Sequence, residues 1–120
     1  MDLQVSVDQL DVAAGTGDAD NIAVVKVVGE VDVASVESLD SELKAVAAAG
    51  SHHIIVDLSA VDFIDSTGLG VIVKALKEAR DNQGWLRVVA QSDRVTKIFS
   101  ISGLDSEVGL SQSIQQAAGL

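Results

Sequence analysis

Leu3, Val5 and Val7 alternate with Gln4, Ser6 and Asp8, a period of two that predicts a strand with one wet face at the edge of a sheet. Ala14 to Asn21 is turn chemistry, and Ile22 to Val28 is β-branched and almost continuously apolar, so the two runs are expected to form a hairpin. Gly29-Glu30-Val31-Asp32 breaks the strand. Val36, Leu39, Leu43, Val46 and Ala47 then fall at helical spacing, with Glu37, Asp40, Glu42 and Lys44 on the wet side, and Gly50 ends the helix. Asp32 and Ser35 are both candidates for its cap. Ile54, Ile55, Val56 and Leu58 read as an interior strand covered on both faces.

The second half repeats the alternation. Leu69, Ile72, Val73, Leu76 and Ala79 form an apolar stripe beside Lys74, Lys77, Glu78 and Arg80, and Asn82-Gln83-Gly84 closes that helix. Trp85 to Ala90 is the next strand. Ser92 is expected to cap a helix carrying Val95, Ile98 and Phe99, which Ser102-Gly103 closes. A short strand near Val108 and a helix containing Ile114 and Ala117 complete the chain. Strands alternating with helices after a hairpin predict an α/β fold: a mixed, mostly parallel sheet of about four to five strands packed with about four helices. No linker or repeat divides residues 1–120, so a single domain is expected.

Charge and composition narrow the function. Eighteen acidic residues against eight basic ones give a formal charge of −10, which repels phosphate backbones and anionic membrane surfaces. Two Phe and one Trp provide no stacking platform for bases, so nucleic-acid binding is not expected. The absence of cysteine excludes disulfides, thiolate metal sites and cysteine nucleophiles, and suits a reducing compartment. With no signal-like start and no apolar run of the ~20 residues that span a bilayer, the expected location is the cytoplasm.

The informative segment is Asp57-Leu58-Ser59-Ala60-Val61-Asp62-Phe63-Ile64-Asp65-Ser66-Thr67-Gly68-Leu69-Gly70, between the interior strand and the second helix. Ser66 stands immediately before the apolar stripe, where an N-cap belongs, near the unpaired N–H groups of the first turn. A phosphate there would meet the positive end of the helix dipole and add about 1.5 to 2 negative charges beside Asp65. Gly68 and Gly70 would let another protein approach closely. A serine ahead of a helix is most often only a cap worth about 1 kcal/mol, a glycine in a first turn can serve simply to permit tight packing, and spacing by itself favours these roles.

Asp-Phe-Ile-Asp-Ser-Thr-Gly-Leu-Gly, followed by Val-Ile-Val and an amphipathic helix, resembles the signature of the STAS-domain anti-sigma-factor antagonists. Gly29-Glu30-Val31-Asp32 is similar to that family's Gly-Glu-Leu-Asp, and Ile98-Phe99-Ser100-Ile101-Ser102-Gly103-Leu104 to its later helix end, so the resemblance covers nearly the whole chain. It implies a regulatory protein rather than an enzyme. Ser66 holds the position that a partner, both serine kinase and anti-sigma factor, phosphorylates. The unphosphorylated form would bind that partner and free the sigma factor; phosphorylation would break the binding, and a metal-dependent serine phosphatase would restore it. By the same resemblance Asp65, Thr67, Gly68, Leu69 and Gly70 border the phosphosite, and Asp32 lies on the same partner-facing end. No cofactor is implied, and a monomer or weak dimer is expected. Departures are Val31 for the commoner Leu, Val33-Ala34-Ser35 for a polar-rich turn, and a somewhat long loop around Gly15 to Asn21.

Rival chemistries lack their companions. A receiver domain would use Asp57 as phosphoryl acceptor but needs an acidic pair after the first strand and a lysine after the last. A nucleophile elbow needs Gly-x-Ser-x-Gly, and position 64 is Ile. His52 and His53, the only candidate bases, read as solvated loop histidines, so neither a catalytic residue nor a metal site is expected. Gly68-Leu69-Gly70 lacks the third glycine of a dinucleotide fingerprint. The alternative lies within the same fold, as a scaffold subunit of a stress-signalling complex or an accessory subunit of a membrane transport system.

Overall fold

The computed structural model describes residues 3–11 and 21–119. Four strands, β1 (Gln4–Asp11), β2 (Asn21–Val28), β3 (His53–Ala60) and β4 (Trp85–Val89), form one sheet in the order β1-β2-β3-β4. β1 and β2 pair antiparallel from Gln4↔Val28 to Asp11↔Asn21, as the two apolar runs predict, while β2-β3 and β3-β4 are parallel. The loop expected around Gly15 lies outside the described residues. The helices are α1 (Val36–Ala48), α2 (Ser66–Asp81), α3 (Asp93–Ile101) and α4 (Ile114–Ala118).

One sheet face carries Val5 and Val7, Ala23, Val25 and Val27, Ile54, Val56 and Leu58, and Leu86 and Val88; α1 and α2 cover it with Leu39, Leu43, Val46, Ile72, Leu76 and Ala79, and α3 adds Val95 and Phe99. The opposite face is smaller. Ile22, Val24, Ile55 and Val89 are covered there by Ala117 of α4, with Leu10, Trp85 and Ile114 at the margin. Both faces of β3 are therefore buried, which explains why its apolar run does not alternate.

Two expectations need correction. The strand near Val108 is instead a turn: the chain meets β4 through an isolated parallel bridge, Val89↔Ser111, and Val108 O separately accepts from Val88 N at 3.0 Å. Gly109, at φ +52°, bends the backbone away before a ladder can extend. The histidines are not fully solvated, and only His52 lies in the loop. His53 opens β3 with its ring edge-on to Trp85, centroids 5.3 Å apart, and both histidines are half-buried. Gly84 makes that corner possible: a Cβ there would stand 1.9 Å from the His52 carbonyl oxygen, which accepts the Trp85 N–H.

Candidate functional site

The segment after β3 meets the segment after β2. Val31 and Ile64 form a parallel bridge; Val31 N donates to Phe63 O at 3.0 Å and Asp65 N donates to Val31 O at 3.0 Å. Two loops that join parallel neighbouring strands to helices must emerge at the same end of the sheet, and this backbone zipper fixes their mutual height. Asp32 consequently lies beside the Asp65-Ser66 corner. Its Oδ1 accepts from the backbone N–H groups of Ala34 and Ser35, both at 3.0 Å, while Ser35 Oγ donates to Glu30 O at 2.6 Å and accepts from Asp32 N. The two cap candidates thus share a turn ahead of α1. Ser35 occupies the cap position in a helical conformation, where its side chain caps nothing.

At α2 the cap is Asp65, not Ser66. Asp65 is extended (φ −104°, ψ −174°), and its Oδ1 accepts from Thr67 N at 3.0 Å, Gly68 N at 3.2 Å and the Thr67 hydroxyl. The bond to Val31 holds Asp65 in the sheet-like conformation, so Asp65 takes the cap and the helix begins one residue earlier than spacing indicates. The Thr67 hydroxyl, with the Gly68 and Thr67 backbone N–H groups, holds the Asp65 carboxyl below its usual 3.8. Ser66 is the first helical residue, exposed, and its hydroxyl has no hydrogen-bond partner among the described residues.

The two glycines serve different ends. Gly70 is exposed, with open space where a Cβ would stand. Gly68 is buried, and a Cβ there would lie 2.7 Å from both Ile64 Cγ1 and Val31 Cγ1. Of the two readings of Gly68, tight packing is the one this geometry supports: its missing side chain lets α2 close on the zipper. Leu69 is half-buried against the main core, and Thr67 is exposed. From the sequence alone, no role in the site is expected for Val31, Ile64 or Val33. Val33 is 75 % exposed beside this corner, and its N–H contributes to holding the Asp65 carboxyl low. A valine in a turn otherwise built of Asp, Ala and Ser was the available signal. Arg94, at the start of α3, lies over the Phe63 ring, 5.7 Å from its centroid, completing the rim.

The rival chemistries find no geometry. His52 and His53 stand at the start of β3 and Ser66 beyond its end, so a strand of eight residues, roughly 23 Å long, separates them. Asp57 is buried, with its Oδ1 accepting from Ser59 N at 3.0 Å. Among the described residues no group of three or more His, Cys, Asp or Glu is arranged to hold a metal, and no helix is long and apolar enough to cross a membrane.

The chain is similar to proteins of known family. A family model described as the STAS domain matches residues 16–117. An anti-sigma-B factor antagonist of Staphylococcus epidermidis is 39% identical over 85 residues, covering 71% of this chain and 79% of the relative. Another, of Staphylococcus aureus, is 41% identical over 80 residues, covering 67% and 74%. Among solved structures, an anti-sigma factor antagonist from Mycobacterium paratuberculosis matches with a TM-score of 0.80 at 27% identity, over 96% of this chain and 90% of that one.

Proposed function

The chain belongs to the STAS-domain family, and from that premise we propose that it is an anti-sigma-factor antagonist controlled by phosphorylation of Ser66. In its unphosphorylated form it binds an anti-sigma factor that is also a serine kinase, and so releases a sigma factor. Phosphorylation ends that binding, and a serine phosphatase resets the cycle. The protein acts in the cytoplasm, as a regulator without catalysis of its own.

The observation that carries this reading is the exposed Ser66 hydroxyl. It stands on the first residue of a helix already capped by Asp65, uncommitted to any partner among the described residues. A side chain needed for folding would be engaged, whereas this one is exposed at the start of α2, near the exposed Thr67 and Gly70. A phosphate here adds about 1.5 to 2 negative charges to a corner that already holds Asp32 and Asp65. A partner seated on that corner loses contact and gains like-charge repulsion.

The test is a pull-down from native cytosol with Ser66→Ala and Ser66→Asp baits, read by mass spectrometry. The alanine form is expected to retain an ATP-binding serine kinase and the aspartate form to lose it by about tenfold, equivalent to about 1.4 kcal/mol. Equal retention by both baits would overturn the electrostatic switch. Membrane transport proteins or a large assembly in place of a kinase would assign the chain a different STAS role.

A further inference from the structure

Ser66 and Thr67 are adjacent hydroxyls, both exposed, in the first turn of one helix. They differ in one respect: the Thr67 hydroxyl donates to Asp65 Oδ1, and the Ser66 hydroxyl has no partner among the described residues. We propose that Asp65 selects the phosphoacceptor, withholding the Thr67 hydroxyl and leaving that of Ser66 as the nucleophile. The inference rests on the reading of Ser66 as the phosphorylated residue and adds the group that makes the choice. Asp65 is here a positioning residue, acting through Thr67.

In the transfer, Ser66 Oγ bonds to the terminal phosphorus of a nucleoside triphosphate held by the kinase. The bond from that phosphorus to the bridging oxygen breaks, the nucleoside diphosphate leaves, and the hydroxyl proton passes to a base on the kinase. Thr67 can follow the same course only by first giving up its bond to a carboxylate, a charge-assisted hydrogen bond. A carboxylate beside a hydroxyl is also the arrangement of a general base, and two features oppose that role for Asp65. The same Oδ1 already accepts the Thr67 and Gly68 backbone N–H groups, and the carboxyl is held below its usual 3.8, which makes it a poor proton acceptor. A phosphate on Thr67 would also stand against this carboxylate, anion on anion, whereas the Ser66 side chain is not bonded to it.

Two measurements test the proposal. In the first, the Asp65 carboxyl of the full chain is titrated by carbon-13 NMR. Thr67→Val is expected to raise its pKa toward 3.8 and Ser66→Ala to leave it unchanged; an unmoved value in Thr67→Val overturns the proposal whether or not any kinase acts. In the second, the full chain is produced in its native cells and phosphate is located by tandem mass spectrometry. Wild type is expected to carry phosphate on Ser66, and Ser66→Ala to carry little on Thr67. Adding Asp65→Asn to Ser66→Ala keeps a good cap but removes the charge, and is expected to raise phosphate on Thr67 by about tenfold or more. Thr67 phosphate that is indifferent to Asp65→Asn overturns the selection while leaving the Ser66 reading in place. Wild type with phosphate on neither hydroxyl overturns the Ser66 reading, and the selection with it.

Discussion

Asp65, Ser66 and Thr67 are all residue types that cap helices well, and the one chosen is the one whose backbone is held extended. Asp65→Ala is therefore expected to cost about 1 kcal/mol, and Ser66→Ala less than about 0.5 kcal/mol, since it removes no folded-state contact. Urea denaturation measures both, and equal losses would return the cap to Ser66. Gly68 is constrained more tightly. Val31 and Ile64 approach it on main-chain segments pinned by the zipper, so Gly68→Ala is expected to cost about 1 to 3 kcal/mol through overpacking. Thermal denaturation should show the lower midpoint, and an unchanged midpoint would mean that the two side chains yield freely.

Among the elements, α4 has only five residues, too few for helix propensity to hold it, so its place depends on what it packs against. Arg87 of β4 supplies much of that. Its guanidinium lies 3.7 Å from the Trp85 ring centroid, Nη1 donates to Ala117 O at 2.8 Å, and burial pushes its pKa down. Arg87→Ala removes both the stacking and a charge-assisted bond to the end of α4. Its expected effect is local: hydrogen exchange at the Ala117 and Gly119 amides should quicken while α1 and α2 amides keep their protection. Uniform quickening across the sheet would show instead that α4 unfolds only with the whole domain. The strands and the three longer helices were legible as periodicities. The turn at Val108 was not, because a buried valine reads alike whether its backbone is extended or turned.

For the whole molecule, the net charge of −10 makes self-repulsion part of the stability balance. Lys44 and Lys74 both pair with Asp40, at 2.9 and 3.0 Å, joining α1 to α2 and holding the Asp40 carboxyl below 3.8. Because the folded-state pKa values of Asp40 and Asp65 are depressed, their contribution is complete above the unfolded value near 3.8 and is lost as pH falls through the folded values. The melting temperature is expected to hold or rise slightly from pH 7 toward 4, as carboxylates lose charge, and to fall below that. Asp40→Asn should flatten part of the acid limb. A limb unaltered in Asp40→Asn would mean that Asp40 contributes nothing to the acid sensitivity.

What the sequence by itself determined was the order and type of the main elements, the interior place of β3, and the segment that holds the site. These follow from apolar spacing, from turn-forming residues, and from the similarity of the Asp57–Gly70 run to a known signature. The tertiary structure alone decided which residue caps α2, which of its two roles Gly68 fills, and that Val31 pairs with the chain at Ile64 and Asp65. The first two depend on the third, a contact between segments more than thirty residues apart. A parallel pairing of that kind leaves no local pattern in either segment, because the hydrogen bonds that make it run between backbones.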